Sequence, residues 1–226
     1  MSAVSPPISP RVVKAETLKE MWEGLGKIPL DRIRMHPLPG TAVEKDVVDV
    51  EARENRLCEL VDGTLVEKAM GYRESVLAAL FIELLGPFIR SRNLGILTGE
   101  GGMMRLMAGL VRIPDVAFTS WGRIPGGKLP DKPIPDLVPD LAIEILSESN
   151  TPSEMDRKCG EYFTSQVRLV WLVDPRARNV AVLTAADRYS ILTESDILTG
   201  GEVLPGWSVA VLDVFAELDR RASAGE

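Results

Sequence analysis

The sequence DLAIEILS at residues 140–147, followed by EMDRKCGEYF at residues 154–163, is the most informative part of this chain for its fold class. The apolar run at residues 141–147 predicts a buried β-strand that carries one acid, Glu144. Residues 153–166 predict an α-helix with Ser153 as its N-cap, and residues 168–173 predict a second buried strand. A strand, a helix and another buried strand in this order are typical of an α/β protein.

The flanking segments extend this pattern into an α/β sandwich with a mixed sheet. The other predicted elements are a hairpin at 56–68 that turns at Asp62 and Gly63, a helix at 73–92 that Pro87 kinks or ends, and strands at 96–97, 102–107 and 110–119. We assign residues 46–226 to one domain. Residues 1–45 are interpreted as an N-terminal tail, a short helix capped by Thr17 and Glu20, and a proline-rich arm.

Composition excludes several classes of site. The chain has 226 residues and a net charge of −7, so it is not a general polyanion binder, and contacts with nucleic acid must come from a local basic surface. Cys58 and Cys159 are too few for a disulfide framework or a four-cysteine zinc site, and the single histidine, His36, excludes an HExxH motif. No apolar run approaches the roughly 18 residues of a membrane helix. Residues 1–16 lack the apolar segment of a signal peptide, so we expect a cytoplasmic protein without a membrane partner.

Glu144 is the first candidate functional residue. It lies in an apolar strand and shares a face with Ala142 and Leu146, so both faces of this strand are expected to be covered. A buried carboxylate is costly unless it is paired or binds a metal ion. Two interpretations therefore remain: a structural glutamate, either salt-bridged in the core or at a strand edge, and a functional acid.

Asp115 is the second candidate, because it follows Pro114 in an otherwise apolar strand. Proline cannot donate to a strand ladder and therefore marks a bulge or an edge, and bulges often redirect side chains beside active sites. An aspartate after proline is also a common turn residue. Paired with Glu144 on a nearby strand, however, Asp115 becomes a candidate Mg²⁺ ligand.

Lys158 is the third candidate and lies in the helix that follows the Glu144 strand. A lone helix lysine is commonly solvated. A helix packed against that strand could nevertheless direct Lys158 at the strand's end. There it would orient an attacking water molecule or stabilise negative charge on a phosphate.

This set of residues resembles the Uma2 (DUF820) family of the PD-(D/E)xK nuclease superfamily. The resemblance spans about residues 57–215. The motifs that carry it are ELVDG at 59–63, RIPDVAF at 112–118, DLAIEILSESNT at 140–151, MDRKCGEYF at 155–163, VWLVDP at 170–175 and LPGW at 204–207.

The resemblance implies a restriction-endonuclease-like fold, with an αβββαβ core and a mixed central sheet flanked by helices. It also implies a Mg²⁺-dependent endodeoxyribonuclease, with Mn²⁺ as an alternative metal. In such an enzyme Asp115 and Glu144 bind the metal, and metal-activated water attacks a DNA phosphodiester bond. Because nucleases of this fold often act as dimers, the resemblance further implies a homodimer.

Two positions depart from the superfamily pattern. That pattern places a lysine two residues after the acid, where this chain has Leu146. In similar proteins the lysine lies on the following helix, which points to Lys158 as the third catalytic residue. Many family members also have a histidine early in the first long helix, where this chain has GYRESVL at residues 71–77. Glu74 is therefore either an auxiliary acid beside the metal or a first-turn acid that complements the helix dipole.

Basic residues near the cleft are expected to contact the DNA backbone. The candidates are Arg105, Arg112, Arg123, Lys128, Lys132 and Arg157. The loop at residues 122–132 is interpreted either as a DNA-facing flap or as an ordinary solvated loop. The alternative function is that of a catalytically inactive nuclease-fold protein that acts as a nucleic-acid-binding or assembly module. Convergence of Asp115, Glu144 and Lys158 would favour the enzyme, and divergence would favour the module.

Overall fold

The computed structural model describes residues 15–69 and 71–221, so residues 1–14 of the predicted tail lie outside the described part. The α-helices are α1 Leu18–Gly24, α2 Glu44–Glu54, α3 Tyr72–Ser91, α4 Pro152–Thr164 and α5 Val211–Ala216. The strands are β1 Cys58–Val61, β2 Thr64–Glu67, β3 Gly95–Thr98, β4 Met104–Met107, β5 Leu110–Arg112, β6 Val116–Ser120, β7 Leu141–Ile145, β8 Leu169–Asp174, β9 Asn179–Ala185, β10 Arg188–Leu192, β11 Ile197–Gly200 and β12 Leu204–Ala210. Short 3-10 helices cover Leu30–Arg32, Trp121–Arg123, Pro125–Gly127 and Glu217–Asp219.

The central sheet has six strands in the order β10-β9-β8-β7-β6-β3. Strands β7 and β8 are parallel and are connected through α4, whereas the other neighbours are antiparallel. In chain order, helix α3, strands β3, β6 and β7, helix α4 and strand β8 form an αβββαβ unit, and β4 and β5 of the four-stranded sheet are inserted between β3 and β6. The predicted fold class, a mixed sheet flanked by helices, is therefore confirmed.

A different helix packs on each face of the central sheet. Helix α3 packs on one face, where Phe81 and Leu85 join Ile143 and Trp171 in one apolar cluster. Helix α4 covers the other face, where Tyr162 packs with apolar residues of β7 and β8. A four-stranded sheet in the order β2-β1-β5-β4 lies on this second side. Every residue of β7 is buried, so the predicted central position of the Glu144 strand is confirmed.

The predicted single strand at residues 110–119 is wrong. Strand β5 ends at Arg112 and belongs to the four-stranded sheet, whereas β6 begins at Val116 and belongs to the central sheet. Pro114 lies between them and has no N–H for either ladder, which gives the physical reason for the break. The next N–H, that of Asp115, donates to the carbonyl oxygen of Ile143 at 3.1 Å.

Three helix details also differ from the sequence prediction. Thr151, not Ser153, is the N-cap of α4, because its Oγ1 accepts the N–H of Glu154 at 3.1 Å and Pro152 occupies the first helical position. Helix α3 spans Tyr72–Ser91, in agreement with the predicted helix at residues 73–92, but Pro87 does not end it. Helix α2 is not among the predicted elements. It buries Val47 and Val50 and spans the predicted boundary between residues 45 and 46.

The arm before α2 packs against the domain. Ile28 and Ile33 are buried with Val66 in one apolar cluster. The Arg32 guanidinium forms two hydrogen bonds, of 3.1 and 2.8 Å, with the Glu154 carboxylate. The short helix α1 begins as predicted, with Thr17 Oγ1 accepting the N–H of Glu20. Within the described part, none of the helices combines the length and the apolar character needed to cross a membrane.

Candidate active site

Asp115 and Glu144 lie at the same end of the central sheet. Asp115 comes directly before β6, and Glu144 lies in β7, the antiparallel neighbour of β6. Asp115 Oδ2 accepts the N–H of Ile145 at 2.6 Å, which fixes the carboxylate against the end of β7. Asp115 is 4% exposed and Glu144 is 5% exposed. The two acids therefore form one buried carboxylate pair at this end of the central sheet.

Helix α4 supplies the cation beside this pair. The Lys158 ammonium lies 2.9 Å from Glu144 Oε2 and 3.0 Å from Oε1 of Glu59, which belongs to β1. One helical turn later, the Tyr162 hydroxyl donates a hydrogen bond to Glu144 Oε1. The structure thus brings together Asp115, Glu144 and Lys158, the three residues that were selected from the sequence. Glu144 is also salt-bridged, as the alternative interpretation required.

A second lysine, Lys68, was missed by the sequence analysis. It follows β2, and its ammonium lies 2.7 Å from Asp115 Oδ1 and also donates to the carbonyl oxygen of Ile113. Both side chains of this ion pair are buried. A lysine at the end of a hairpin strand carries no sequence signal for a partner so distant along the chain.

Glu59 and Arg112 extend the charged cluster into the four-stranded sheet. The Arg112 guanidinium lies 2.6 Å from Glu59 Oε2 and also binds the Glu161 carboxylate. Glu59 Oε1 additionally accepts the N–H of Ile113 at 3.0 Å. The signal for Glu59 was an acid within an apolar strand, the same signal that identified Glu144.

Burial and neighbouring charges determine the protonation of the cluster. Burial raises the pKa of Glu144 above its usual value, and the charge of Lys158 offsets only part of this effect. Burial acts to lower the pKa of Lys158, but the carboxylates of Glu144 and Glu59 outweigh it and raise that pKa. For Glu59, burial acts to raise the pKa, but Lys158 and Arg112 outweigh it and lower the pKa. Burial also raises the pKa of Tyr162, so its hydroxyl keeps the proton that it donates.

An open cleft of about 540 Å³ lies near the carboxylate pair, although neither Asp115 nor Glu144 lines it. Lys68 connects the two, because it lines the cleft and contacts Asp115. The cleft is lined by Lys68, Ala69, Gly71, Arg73, Glu74, Ser147, Glu148, Ser149, Pro175 and Arg176. Glu74 therefore belongs to the cleft, and its carboxylate lies against the backbone of Gly71, the N-cap of α3. Among the described residues it makes no ion pair with Lys68 or Lys158.

The carboxylate pair provides oxygen atoms, which are the ligands that hard divalent cations such as Mg²⁺ prefer. Each of the four carboxylate oxygens of Asp115 and Glu144 already accepts one donor of the chain. A carboxylate offers about four lone-pair sites, so further acceptor capacity remains. Within the described ranges, no group of three or more His, Cys, Asp or Glu side chains is arranged around a common metal position. Mg²⁺ commonly uses one or two carboxylates and keeps several waters, so this pair fits it.

Most of the predicted DNA-contacting residues are engaged within the protein. Arg112 is buried, and Arg105, Arg123 and Arg157 form ion pairs with Glu44, Asp140 and Asp62, respectively. Asp115 precedes the first residue of β6, whereas the loop at residues 122–132 follows the last one, so the two lie at opposite ends of this strand. Because β6 is five residues long, the loop begins about 17 Å from the carboxylate pair, which does not suit a flap over that pair.

Comparison with known proteins shows similarity to a protein family and to a solved structure. The family described as "Uma2: Putative restriction endonuclease" matches residues 46–214 of the chain. A solved structure of a putative nuclease belonging to DUF820 from Anabaena variabilis ATCC 29413 is similar with a TM-score of 0.65 and 18% sequence identity. The similarity covers 72% of this chain and 91% of that chain and concerns the fold. No functionally curated protein matches the sequence.

Proposed function

The chain belongs to the Uma2 family of restriction-endonuclease-like proteins, and from this premise we propose that it is a metal-dependent endonuclease that hydrolyses phosphodiester bonds in DNA. The observation that carries the proposal is the convergence of Asp115, Glu144 and Lys158, with Lys68 linking Asp115 to an open cleft. The two acids and the lysine come from separate parts of the chain: Asp115 precedes β6, Glu144 lies in β7 and Lys158 lies in α4.

In this proposal, Asp115 and Glu144 hold Mg²⁺ or Mn²⁺ through their carboxylate oxygens. A bound divalent cation supplies Lewis acidity for the attacking water and for the phosphate. The N–H of Ile145 orients Asp115, and the Tyr162 hydroxyl orients Glu144. Lys158 remains protonated between two carboxylates, so it holds Glu144 in place and provides positive charge where the phosphate gains negative charge.

The cleft is the proposed path of the DNA backbone. Arg73 and Arg176 line it together with Lys68, and the hydroxyl groups of Ser147 and Ser149 add polar contacts. Arginine suits phosphate because its guanidinium donates several hydrogen bonds in a fixed planar geometry. Arg73 and Arg176 replace Arg105, Arg112, Arg123 and Arg157 as the proposed phosphate contacts. Arg176 lies 3.9 Å from Asp174 Oδ1, but its side chain is 55% exposed. The acidic net charge of the chain makes binding depend on this local surface.

A homodimer is proposed as the acting form, because cutting both strands of a duplex requires two sites. Light scattering of the purified protein, with and without duplex DNA, measures this directly. A monomer under both conditions would restrict the proposal to single-strand nicking.

The alternative is a catalytically inactive nuclease-fold module that binds nucleic acid. The observation that favours it is the internal pairing of all four carboxylate oxygens, which balances the buried charges without a bound ion. An inactive module should bind DNA through Arg73 and Arg176 without cleaving it. One experiment that measures both binding and cleavage therefore distinguishes the two functions.

Plasmid nicking by the purified protein in Mg²⁺, Mn²⁺ or EDTA tests the proposal, alongside Asp115→Asn, Glu144→Gln and Lys158→Met. We expect metal-dependent nicking by the wild type and a loss of more than about a hundredfold in both acid variants. Arg73→Gln should weaken DNA binding, whereas Arg105→Gln, a matched arginine paired with Glu44, should not. Binding without nicking of any DNA form would overturn the enzyme and support the module.

A further inference from the structure

Lys68 forms an ion pair with Asp115, the proposed metal ligand. The Lys68 ammonium lies 2.7 Å from Asp115 Oδ1, and the two side chains are 7% and 6% exposed. It also donates to the carbonyl oxygen of Ile113, two residues before Asp115. The backbone N–H of Lys68 donates to the carbonyl oxygen of Leu57, so its main chain is tied to the hairpin and any displacement from Asp115 would be a movement of the side chain.

A divalent cation and this ammonium compete for the same carboxylate. Like charges a few ångströms apart in a buried site repel strongly, because little solvent screens them. Asp115 Oδ2 is held by the N–H of Ile145, so Oδ1 is the oxygen over which the two cations compete. Lys68 also lines the 540 Å³ cleft, so its flexible side chain has an open, polar space into which it can turn.

We propose that Lys68 is a placeholder cation that neutralises Asp115 in the metal-free protein and must leave it before a divalent cation binds. The inference rests on the proposed function, because it takes Asp115 as a metal ligand. Its consequence is a metal site that is weak in the free protein, although both carboxylates are already positioned. In the cleft, the displaced ammonium would face the proposed path of the DNA backbone.

Calorimetric titration with Mn²⁺ in the absence of DNA tests this inference without relying on cleavage. Lys68→Met and Lys68→Gln are expected to bind Mn²⁺ at least about tenfold more tightly than the wild type, the order of one charge-assisted hydrogen bond. Lys68→Gln has a side-chain amide that can still bond Ile113, so it serves if the methionine variant does not fold. Thermal unfolding of each variant establishes folding first.

Two controls test whether any gain in Mn²⁺ affinity comes from Asp115. Lys45 forms an exposed ion pair with Asp49, which Arg53 also contacts at 3.6 Å, so Lys45→Met removes a surface lysine from a carboxylate and should leave Mn²⁺ affinity unchanged. Adding Asp115→Asn to Lys68→Met should abolish the gain. Equal affinity of the wild type and both Lys68 variants would overturn the placeholder role but leave the metal site standing. Absence of Mn²⁺ binding in every variant would overturn both.

Discussion

The Lys158 ammonium lies 2.9 Å from Glu144 Oε2, across the interface between α4 and the central strand β7. Leu146, where the superfamily pattern has its lysine, follows β7, and its N–H extends the ladder to Val173. A lysine on the crossover helix can reach the acid because α4 packs directly on the face of β7 that carries Glu144. The positive charge is thus present beside the acid without a lysine on the strand.

Lys158→Met should lower the free energy of unfolding by about 3–5 kcal/mol, because it leaves Glu144 and Glu59 buried without their shared cation. Urea denaturation measures the loss. The double variant that combines Lys158→Met with Glu144→Gln should recover part of the lost stability, because one uncompensated buried charge is removed. The exposed Lys45→Met is the control and should cost at most about 1 kcal/mol. A loss that small for Lys158→Met would contradict the buried pairing.

Glu59 should make stability depend on acid pH. Its pKa in the folded protein lies below the ordinary value of 4.5, because Lys158 and Arg112 outweigh the effect of burial. Its stabilisation is therefore complete well above 4.5 and decreases as the pH falls toward the folded pKa. Between pH 4.5 and the lower folded pKa, the stability difference between the wild type and Glu59→Gln should shrink by about 1.4 kcal/mol for each pH unit of acidification. Urea denaturation at several pH values measures it, and a constant difference would refute the pairing.

Gly63→Ala should destabilise the hairpin through the arm that packs against it. Gly63 has φ +68°, and an added Cβ would lie 2.7 Å from the carbonyl carbon of Gly40. Gly109, with φ +76° and open space around it, is the matched control. Gly109→Ala should cost about 1–2 kcal/mol for backbone strain alone. Gly63→Ala should cost at least about 1 kcal/mol more. Equal losses in thermal unfolding would mean that the arm does not contact this turn in solution.

The two thiols should be unreactive in the folded protein. Burial raises the pKa of Cys58 to about 11 and that of Cys159 to about 12, and the Glu144 carboxylate adds to the shift at Cys159. At about pH 8 almost no thiolate is present at either position. Reaction with a colorimetric disulfide reagent should therefore be negligible in the native protein and should reveal both thiols in denaturant. Rapid native labelling of Cys159 would contradict the packing of α4 on β7.

The sequence by itself determined the local elements around the site. An apolar run with one acid identified β7 and Glu144, and helical spacing identified α3. Proline before Asp115 marked the position where the chain changes sheets, although the break between β5 and β6 was missed. Lys158 was a candidate from its position on the helix after the Glu144 strand, and the family resemblance strengthened it, because a single lysine on an amphipathic helix has no periodicity of its own.

Only the tertiary structure decided which charges are partners. Lys68 binds Asp115, and Arg112 binds Glu59, because the four-stranded sheet packs beside the carboxyl end of β7 and closes a low-dielectric space around them. Arg112 was predicted to contact DNA and instead is buried in this network. Local sequence periodicity reports which face of an element is apolar. The partner of a buried charge depends on how distant elements pack, and no local pattern encodes that.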